Sequence, residues 1–304
     1  MEAPFKKPFF IYNPVSGTSD PDVTLQAFED ACARYDWQSE IHETKKDEDL
    51  IRVVRDGLDQ GCDLVMAGGG DGTVSAVASA LVNSNTPLAI IPLGTGNILA
   101  KQLDLPLQLD KVFEYIAESP QVFSLDAMRI GERHFMLNAS VGFSAALIEN
   151  TSRREKRRFG ILAYIWKGAQ AFIGLQPYHF NLEVDGRPYS TRASEVFISN
   201  SALLKEDVFI NLQMRADDGQ LEVFVIKGRT IWDYFLLTID VIRGKSHVSR
   251  GMDYYPARKK INIWTRRPLT VQADGEVFGK TPVTIEVVPH AVQLLVPAAW
   301  PEEP

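Results

Sequence analysis

Apolar and polar positions in the first hundred residues switch repeatedly between two periods. Phe9-Phe10-Ile11-Tyr12 is a short unbroken apolar run, as in a strand buried on both faces. It ends in Asn13-Pro14-Val15-Ser16-Gly17, a tight turn whose N–H and hydroxyl groups are free to face a ligand. From Asp22 to Tyr35, Val23, Leu25, Phe28 and Ala31 gather near one face at helical spacing. Trp37–Glu43 alternates as a second strand closed by Thr44, and Asp47–Gln60 returns to the helical period with Leu50, Ile51, Val54 and Leu58. Leu64-Val65-Met66-Ala67 predicts a third strand. It runs through Gly68, Gly69, Gly70, Asp71, Gly72 and Thr73 into a helix-compatible stretch, Val74–Leu81. Pro87–Pro92 is a fourth strand, followed by the turn Leu93-Gly94-Thr95-Gly96-Asn97. Strands alternating with helices predict a parallel sheet covered on both faces, with ligands beyond the carboxyl ends of its strands. The turns at Asn13–Gly17, Thr44, Gly68–Thr73 and Gly94–Asn97 all fall at those ends and should converge on one crevice.

The pattern changes near Gln121. Val122–Ile130, His134–Ala139, Phe180–Val184, Glu195–Ser199, Leu221–Ile226, Lys260–Trp264, Leu269–Ala273 and Thr284–Val288 read as strands with few helices between them. Asp185-Gly186 is a strong hairpin signal. Ala145–Ile173 and Ile231–Arg243 are the helical exceptions. The fold class expected is therefore α/β plus all-β. A parallel α/β nucleotide-binding domain over 1–122, completed by 291–304, precedes a mainly antiparallel β-sandwich over 123–290.

Composition narrows the function classes. The 304 residues, 45% hydrophobic, suffice for one large or two medium cores. A net charge of −7 argues against bulk nucleic-acid binding, which needs a basic face. Cys32 and Cys62 lack metal-ligand spacing and fit buried thiols in a reducing cytosol; the scattered histidines make a zinc site improbable. No signal peptide and no window of about 18–20 apolar residues is visible, which predicts a soluble, cytoplasmic protein. Arg153-Arg154-Glu155-Lys156-Arg157-Arg158 abuts the aromatic-rich Phe159–Trp166, the composition of an interfacial element. A solvated charge run before a core helix would look the same.

The chemistry centres on Leu64–Val74. A strand that runs through glycines into a helix start can bring bare backbone N–H groups against phosphate oxygens. The Asp71 carboxylate would repel a phosphate directly, so its presence implies a bridging cation or a hydroxyl to deprotonate. No GxGxxG opens a βαβ unit, no HRD or DFG is present, and Gly275–Thr281 only approaches a Walker A loop.

The set Asn13–Gly17 (NPVSG), Gly68–Val74 (GGGDGTV), Pro92–Asn97 (PLGTGN) and Ala273–Glu276 (ADGE), in this order, resembles the diacylglycerol kinase catalytic-domain family. It is most similar to the bacterial soluble lipid kinases of the YegS/BmrU type, relatives of the sphingosine, ceramide and NAD kinases. The resemblance implies an ATP- and Mg²⁺-dependent lipid kinase with its active site in the interdomain cleft, peripheral at the membrane, with a homodimer compatible. It implies ATP contacts at Asn13, Pro14, Ser16, Gly17, Thr44, Gly68, Gly69, Gly70, Asp71, Gly72, Thr73, Gly94, Thr95 and Asn97. Glu276 matches the general base on the lipid hydroxyl, with Asp71 in the magnesium network; in the sphingosine kinases the residue matching Asp71 is assigned as base. A second Mg²⁺ site is implied at the Asp218 carboxylate and the carbonyls of Arg215 and Gln220. This sequence departs from the family at Ile98, where many members carry Asp after the turn Asn, and at Ser144, where many relatives carry Asp. Both departures bear on which lipid is the acceptor. A sphingoid- or ceramide-type kinase, a kinase for a soluble acceptor such as NAD, and a binding protein without catalysis are the alternatives.

Overall fold

The computed structural model describes residues 4–17, 20–118, 120–149 (147–149 in backbone only), 177–200, 216–228, 230, 233 and 251–298. The chain divides into two compact units, Met1–Asp126 with His290–Pro304, and Ala127–Pro289.

Unit 1 is built on parallel strands β1 (Pro8–Tyr12), β2 (Glu40–Glu43), β3 (Leu64–Gly69) and β4 (Leu88–Pro92) in the spatial order β2-β1-β3-β4. The later part of β16 (Val283–Pro297) continues the order, with Leu294 opposite Leu88. Helices α1 (Pro21–Tyr35), α2 (Leu50–Asp59), α3 (Asp71–Ala80), α4 (Ile98–Gln102) and α5 (Leu109–Glu118) complete it. Every residue of β1, β3 and β4 is buried, which is why these strands are continuous apolar runs rather than alternating ones. The rings of Phe10, Phe28 and Phe113 lie in sequence, with centroids 4.6 and 5.8 Å apart, and tie α1 and α5 to the sheet.

Several boundaries differ from the sequence expectation, each for a local reason. The second strand begins at Glu40, not Trp37; the Trp37 ring is buried and the Gln38 N–H donates to the Lys6 carbonyl. Helix α2 begins at Leu50 because the Asp49 carboxylate caps it, accepting from the N–H groups of Ile51 (3.1 Å) and Arg52 (3.4 Å). Helix α3 begins at Asp71, three residues before Val74, so Gly68 and Gly69 belong to β3 and the loop shrinks to Gly70. Helix α5 went unforeseen.

Unit 2 is a sandwich of two antiparallel sheets. One runs β12 (Met252–Ala257), β11 (Leu221–Ile226), β10 (Glu195–Ser199), β7 (Asn138–Gly142), β14 (Thr270–Ala273), β15 (Glu276–Lys280). The other holds the first part of β16, then β13 (Lys260–Thr265), β8 (Tyr178–Val184) and β9 (Arg187–Ala193). The end of β5 (Pro120–Ile130) pairs with β6 (Arg133–Phe135). Alternate residues from both sheets, among them Val141, Val196, Ile198, Val223, Ile261 and Ile285, meet in one buried core. Asp185-Gly186 is the hairpin turn expected, with φ of 50° and 81°. His134–Ala139 is not one strand: Met136 and Leu137 leave the ladder because their N–H groups donate to the Asp274 carboxylate, at 2.8 and 2.9 Å. Strands β9, β12 and β15 were not anticipated. Helix α6 (Phe143–Glu149) covers the start of the helix expected over Ala145–Ile173. The remainder of that stretch, the basic cluster Arg153–Arg158, and Ile231–Arg243 apart from Asp233, lie outside the described residues.

Packing at the strand ends yields a direct test. A Cβ on Gly68 would sit 2.6 Å from the buried Phe10 ring, whereas one on Gly72, in the first turn of α3, meets nothing within 4 Å. Gly68→Ala should lower stability by about 1–3 kcal/mol through overpacking. Gly72→Ala should raise it by about 0.5 kcal/mol through helix propensity. Urea denaturation reads both; a Gly68→Ala variant as stable as wild type would refute the packing argument.

Candidate functional site

In unit 1 three loops meet at the carboxyl edge of the parallel sheet. The first, Asn13–Gly17, leaves β1 with the Asn13 N–H on the Gly68 carbonyl (2.8 Å). Its Asn13 side chain accepts from the Val15 N–H (3.2 Å) and donates to the Thr73 hydroxyl (3.0 Å), which joins it to the first turn of α3. The Ser16 hydroxyl accepts from the Gly70 N–H at 3.3 Å. Gly17 has a φ of +66°, and a Cβ there would lie 2.0 Å from the Leu93 carbonyl oxygen, so no other residue fits. Gly94 of the second turn comes equally close to α3's start: its Cβ would lie 2.5 Å from the Gly70 Cα. Thr44 reaches the same edge, its N–H donating to the Tyr12 carbonyl (2.8 Å).

The second turn is held by its own asparagine. The Asn97 side chain accepts from the Gly94 N–H and donates to the Gly94 carbonyl, both at 2.8 Å, with its backbone at φ 49°. Asp71 Oδ1 accepts the Ile98 N–H at 2.6 Å, and Oδ2 fills the space beside the bare Gly96 Cα. Position 98, where the family resemblance implies an acid, carries an apolar side chain, and its backbone N–H donates to Asp71.

The structure therefore brings together Asn13, Ser16, Gly17, Thr44, Gly70, Asp71, Thr73, Gly94 and Asn97 on one edge. Gly68 and Gly69 lie just behind, where their missing side chains make room for Phe10 and for Thr73. The Gly70 N–H is spent between the loops and that of Gly94 within its own turn. Among the described residues, the N–H groups of Gly72, Thr95 and Gly96 have no hydrogen-bond partner. They lie at the positive end of α3 and along the turn beside it, donors of the kind that hold an anion of several oxygens.

In unit 2 the ADGE segment is a hairpin turn between β14 and β15, with Asp274 at φ 46° and Gly275 at φ 80°. The Asp274 carboxylate accepts from the N–H groups of Met136, Leu137 and Asn138 (2.8, 2.9 and 3.0 Å). Glu276 begins β15 half exposed, 3.7 Å from Arg133, whose guanidinium stacks over the rings of Phe135 and Phe278.

At the implied second metal site, Asp218 Oδ1 accepts the Gln220 N–H (3.0 Å), and the Gln220 side chain bridges Glu222 (2.9 Å) and Arg258 (3.2 Å). Arg215 lies outside the described residues. Among the described residues no three His, Cys, Asp or Glu side chains cluster around one point. Both cysteines are free, and burial raises their thiols, Cys62 to about 11, so neither is a nucleophile at neutral pH.

This architecture, a glycine-loop α/β unit and an antiparallel sandwich, is that of a kinase family. Residues 7–129 match the diacylglycerol kinase catalytic domain, and residues 138–296 match the YegS C-terminal NAD kinase beta sandwich-like domain. The chain belongs to this diacylglycerol kinase and YegS family, as its four ordered motifs suggested. A Synechocystis sp. protein, sll0036, is 28% identical over 94% of this chain and 69% of its own length. A Staphylococcus aureus protein bearing the name "Putative lipid kinase SAB0675c" is 26% identical over 77% of each chain. A crystal structure of a diacylglycerol kinase from Bacillus anthracis str. Sterne shares the fold. Its TM-score is 0.79 at 24% identity, covering 98% of this chain and 99% of that one.

The two acids of the last motif should separate cleanly. Asp274→Ala removes the acceptor of three backbone N–H groups. It should cost about 3 kcal/mol of stability. Glu276→Gln weakens a half-exposed ion pair. It should change stability by less than about 1 kcal/mol. Chemical denaturation of the two variants decides, and similar losses would mean the turn is anchored otherwise.

Proposed function

We propose that the chain is an ATP-dependent lipid kinase that transfers the γ-phosphoryl group to a hydroxyl of a diacylglycerol-like acceptor. The observation that carries this reading is the interlocked glycine edge, where the N–H groups of Gly72, Thr95 and Gly96 stand beside Asp71. Phosphoryl transfer needs little covalent help from a protein; it needs the phosphates held and the developing charge stabilised. These N–H groups hold them. Ser16, Thr73 and Asn97 work one step back, since their side chains fix the loops.

Asp71 keeps one carboxylate oxygen beyond its bond to Ile98. Mg²⁺ retains several waters and takes one or two carboxylates plus phosphate oxygens, so this donor set fits it. When bound, the ion neutralises charge on the β- and γ-phosphates. The resemblance supports a second, structural Mg²⁺ at Asp218 with the carbonyls of Gln220 and Arg215. Glu276 is the base we assign. The acceptor hydroxyl oxygen attacks the γ-phosphorus, its proton passes to the Glu276 carboxylate, and ADP leaves.

Ile98 favours a second acceptor class. Asn97-Ile98-Leu99-Ala100 is closer to the corresponding turn of the sphingoid-type kinases than to the acidic version. Incubation with labelled ATP and a panel of diacylglycerol, monoacylglycerol, ceramide, sphingosine and NAD, with products separated by chromatography, tests both. Diacylglycerol phosphorylation is the expected result. A sphingoid or NAD product would reassign the acceptor, and no product at all would leave a binding protein.

Two substitutions test the roles. Asp71→Asn keeps an acceptor for the Ile98 N–H while removing the charge, so it should abolish turnover and weaken Mg-ATP binding with the fold intact. Retention of more than about a tenth of kcat (roughly 1.4 kcal/mol in barrier) would remove Asp71 from the centre. Glu276→Gln should lower kcat by about 10²–10⁴-fold and leave ATP affinity nearly unchanged. Exchanged phenotypes would make Asp71 the base.

Among the described residues no helix is long and apolar enough to cross a membrane. We assign membrane access to the basic cluster ahead of Phe159. Replacing Arg153, Arg154, Arg157 and Arg158 by Gln should weaken binding to anionic vesicles at low salt, which a sedimentation assay reads. Unchanged binding would reduce the cluster to a solvated surface.

A further inference from the structure

The sheet that carries Glu276 has two unlike faces. One packs into the sandwich core; the other, set by the strand register, carries Asn138, Ser140, Glu195, Ser199, Glu222 and Gln272. Glu195 is 2% exposed, yet among the described residues it has no basic partner, and its Oε1 accepts no hydrogen bond. Its carboxylate is instead bonded by the Ser144 side chain and N–H and by the Ser140 side chain.

Ser140 leads onward. Gln272 Nε2 donates to the Ser140 hydroxyl oxygen and to Asn138 Oδ1, both at 3.0 Å. Gln272 Oε1 accepts the N–H of Gly275, also at 3.0 Å, in the turn that presents Glu276. Each link has a fixed polarity. A charged Glu195 accepts a hydrogen bond from the Ser140 hydroxyl, so the Ser140 oxygen is free to accept from Gln272. The Gln272 amide is thereby oriented with its oxygen towards Gly275. A protonated Glu195 donates a hydrogen bond in its turn, and a serine that accepts it must turn its own hydroxyl proton elsewhere. Ser144 is the serine with room to do so, being only partly buried.

From this chain we infer that Glu195 is a positioning residue for the proposed kinase reaction, acting through Ser140 and Gln272 on the turn that carries Glu276 and directly on Ser144. The inference rests on the kinase reading of the preceding section. It also gives Ser144 a meaning. Where relatives carry a carboxylate, this chain has a hydroxyl backed by a buried carboxylate from β10.

Burial raises the Glu195 carboxyl to about 7, against the hydrogen bonds from Ser144 and Ser140, which lower it. Among the described residues the other titratable groups on this sheet face include Glu222 on β11, Tyr254 on β12 and Lys280 on β15. Lys227, next along from Ile226, is ion-paired with Asp253 at 2.7 Å. None of these supplies charge at Glu195. Among the described side chains, Ser144 of α6 and Ser140 of β7 bond to it.

The test is the pH profile of kcat/KM for ATP-dependent phosphorylation in wild type, Glu195→Gln and Ser140→Ala, with thermal unfolding followed over the same pH range. Wild type should lose activity as pH falls through a midpoint near 7, levelling off at about the activity of Glu195→Gln. Glu195→Gln should lose that limb and run about tenfold or more below the wild-type plateau. Ser140→Ala removes a donor from the carboxylate and should move the limb to higher pH, which a merely structural serine would not do. The unfolding curves check the titration without reference to activity. Folded Glu195 holds a proton between about 4.5 and 7 that the unfolded chain has released, so wild-type stability should fall as pH rises through that window and level off above it. Glu195→Gln should lack this fall. An acid limb with the same midpoint in Glu195→Gln overturns the inference while the kinase reading stands. Turnover of no acceptor by wild type, with the Glu195-dependent stability slope present, sinks the kinase reading and the positioning role with it.

Discussion

The approach of Gly17 to Leu93, and of Gly94 to Gly70, is the constraint on which the nucleotide edge depends. Three loops from three strands meet there with backbone against backbone, at distances that leave no volume for a methyl group. Each loop spends part of its hydrogen-bonding capacity on the others, through Ser16 to Gly70, Asn13 to Thr73 and Asp71 to Ile98. What is left over, a few N–H groups at the start of α3 and along the second turn, is held rigid by what is used up. Preorganised donors of this kind need not reorganise when charge develops on a phosphate.

Much of this was legible in the sequence because the signals were local. Unbroken apolar runs gave the parallel strands, and glycine with Asn, Ser or Asp at their ends gave the loops. The convergence of those loops followed from the parallel topology alone. Less local features were not legible. The start of α3 at Asp71 depends on Gly70 serving as N-cap, and the sequence allowed the whole glycine run to be loop. The break between β6 and β7 depends on Asp274, more than a hundred residues away, drawing off the N–H groups of Met136 and Leu137. Strand β9 is exposed or half-buried everywhere but at Ala193, and its polar composition reads as loop, because among the described residues it pairs only with β8. Glu195 was missed for the opposite reason: a charged residue at the start of a strand is ordinarily outside, and only the fold shows it inside.

The departures from the family at Ile98 and Ser144 look alike in the sequence but differ in the structure. At Ile98 the lost acid is not replaced; the backbone N–H of that residue bonds Asp71 and ties the second turn to α3. Negative charge is therefore reduced in unit 1. At Ser144 the hydroxyl meets a carboxylate brought in from β10, so acidity is displaced rather than removed. A count of missing acids would have treated both as losses.

The same distinction between structure and chemistry applies within the ADGE motif. Asp185-Gly186 and Asp274-Gly275 are two hairpin turns with nearly the same backbone, φ near 50° and 80°. In each, the aspartate accepts three consecutive backbone N–H groups from a segment distant in sequence: Arg258, Lys259 and Lys260 at the first, Met136, Leu137 and Asn138 at the second. Burial raises the Asp185 carboxyl, but those three bonds outweigh it and hold it below its ordinary value. Nothing about Asp185 suggests chemistry, and Asp274 makes the same set of bonds. Asp and Gly of the motif are thus a device for pinning a hairpin to a neighbouring segment. The residue that remains for function is the one without a counterpart at the other turn. After Asp185-Gly186 comes Arg187; after Asp274-Gly275 comes Glu276, half exposed on the rim and set in place by the pinned turn behind it.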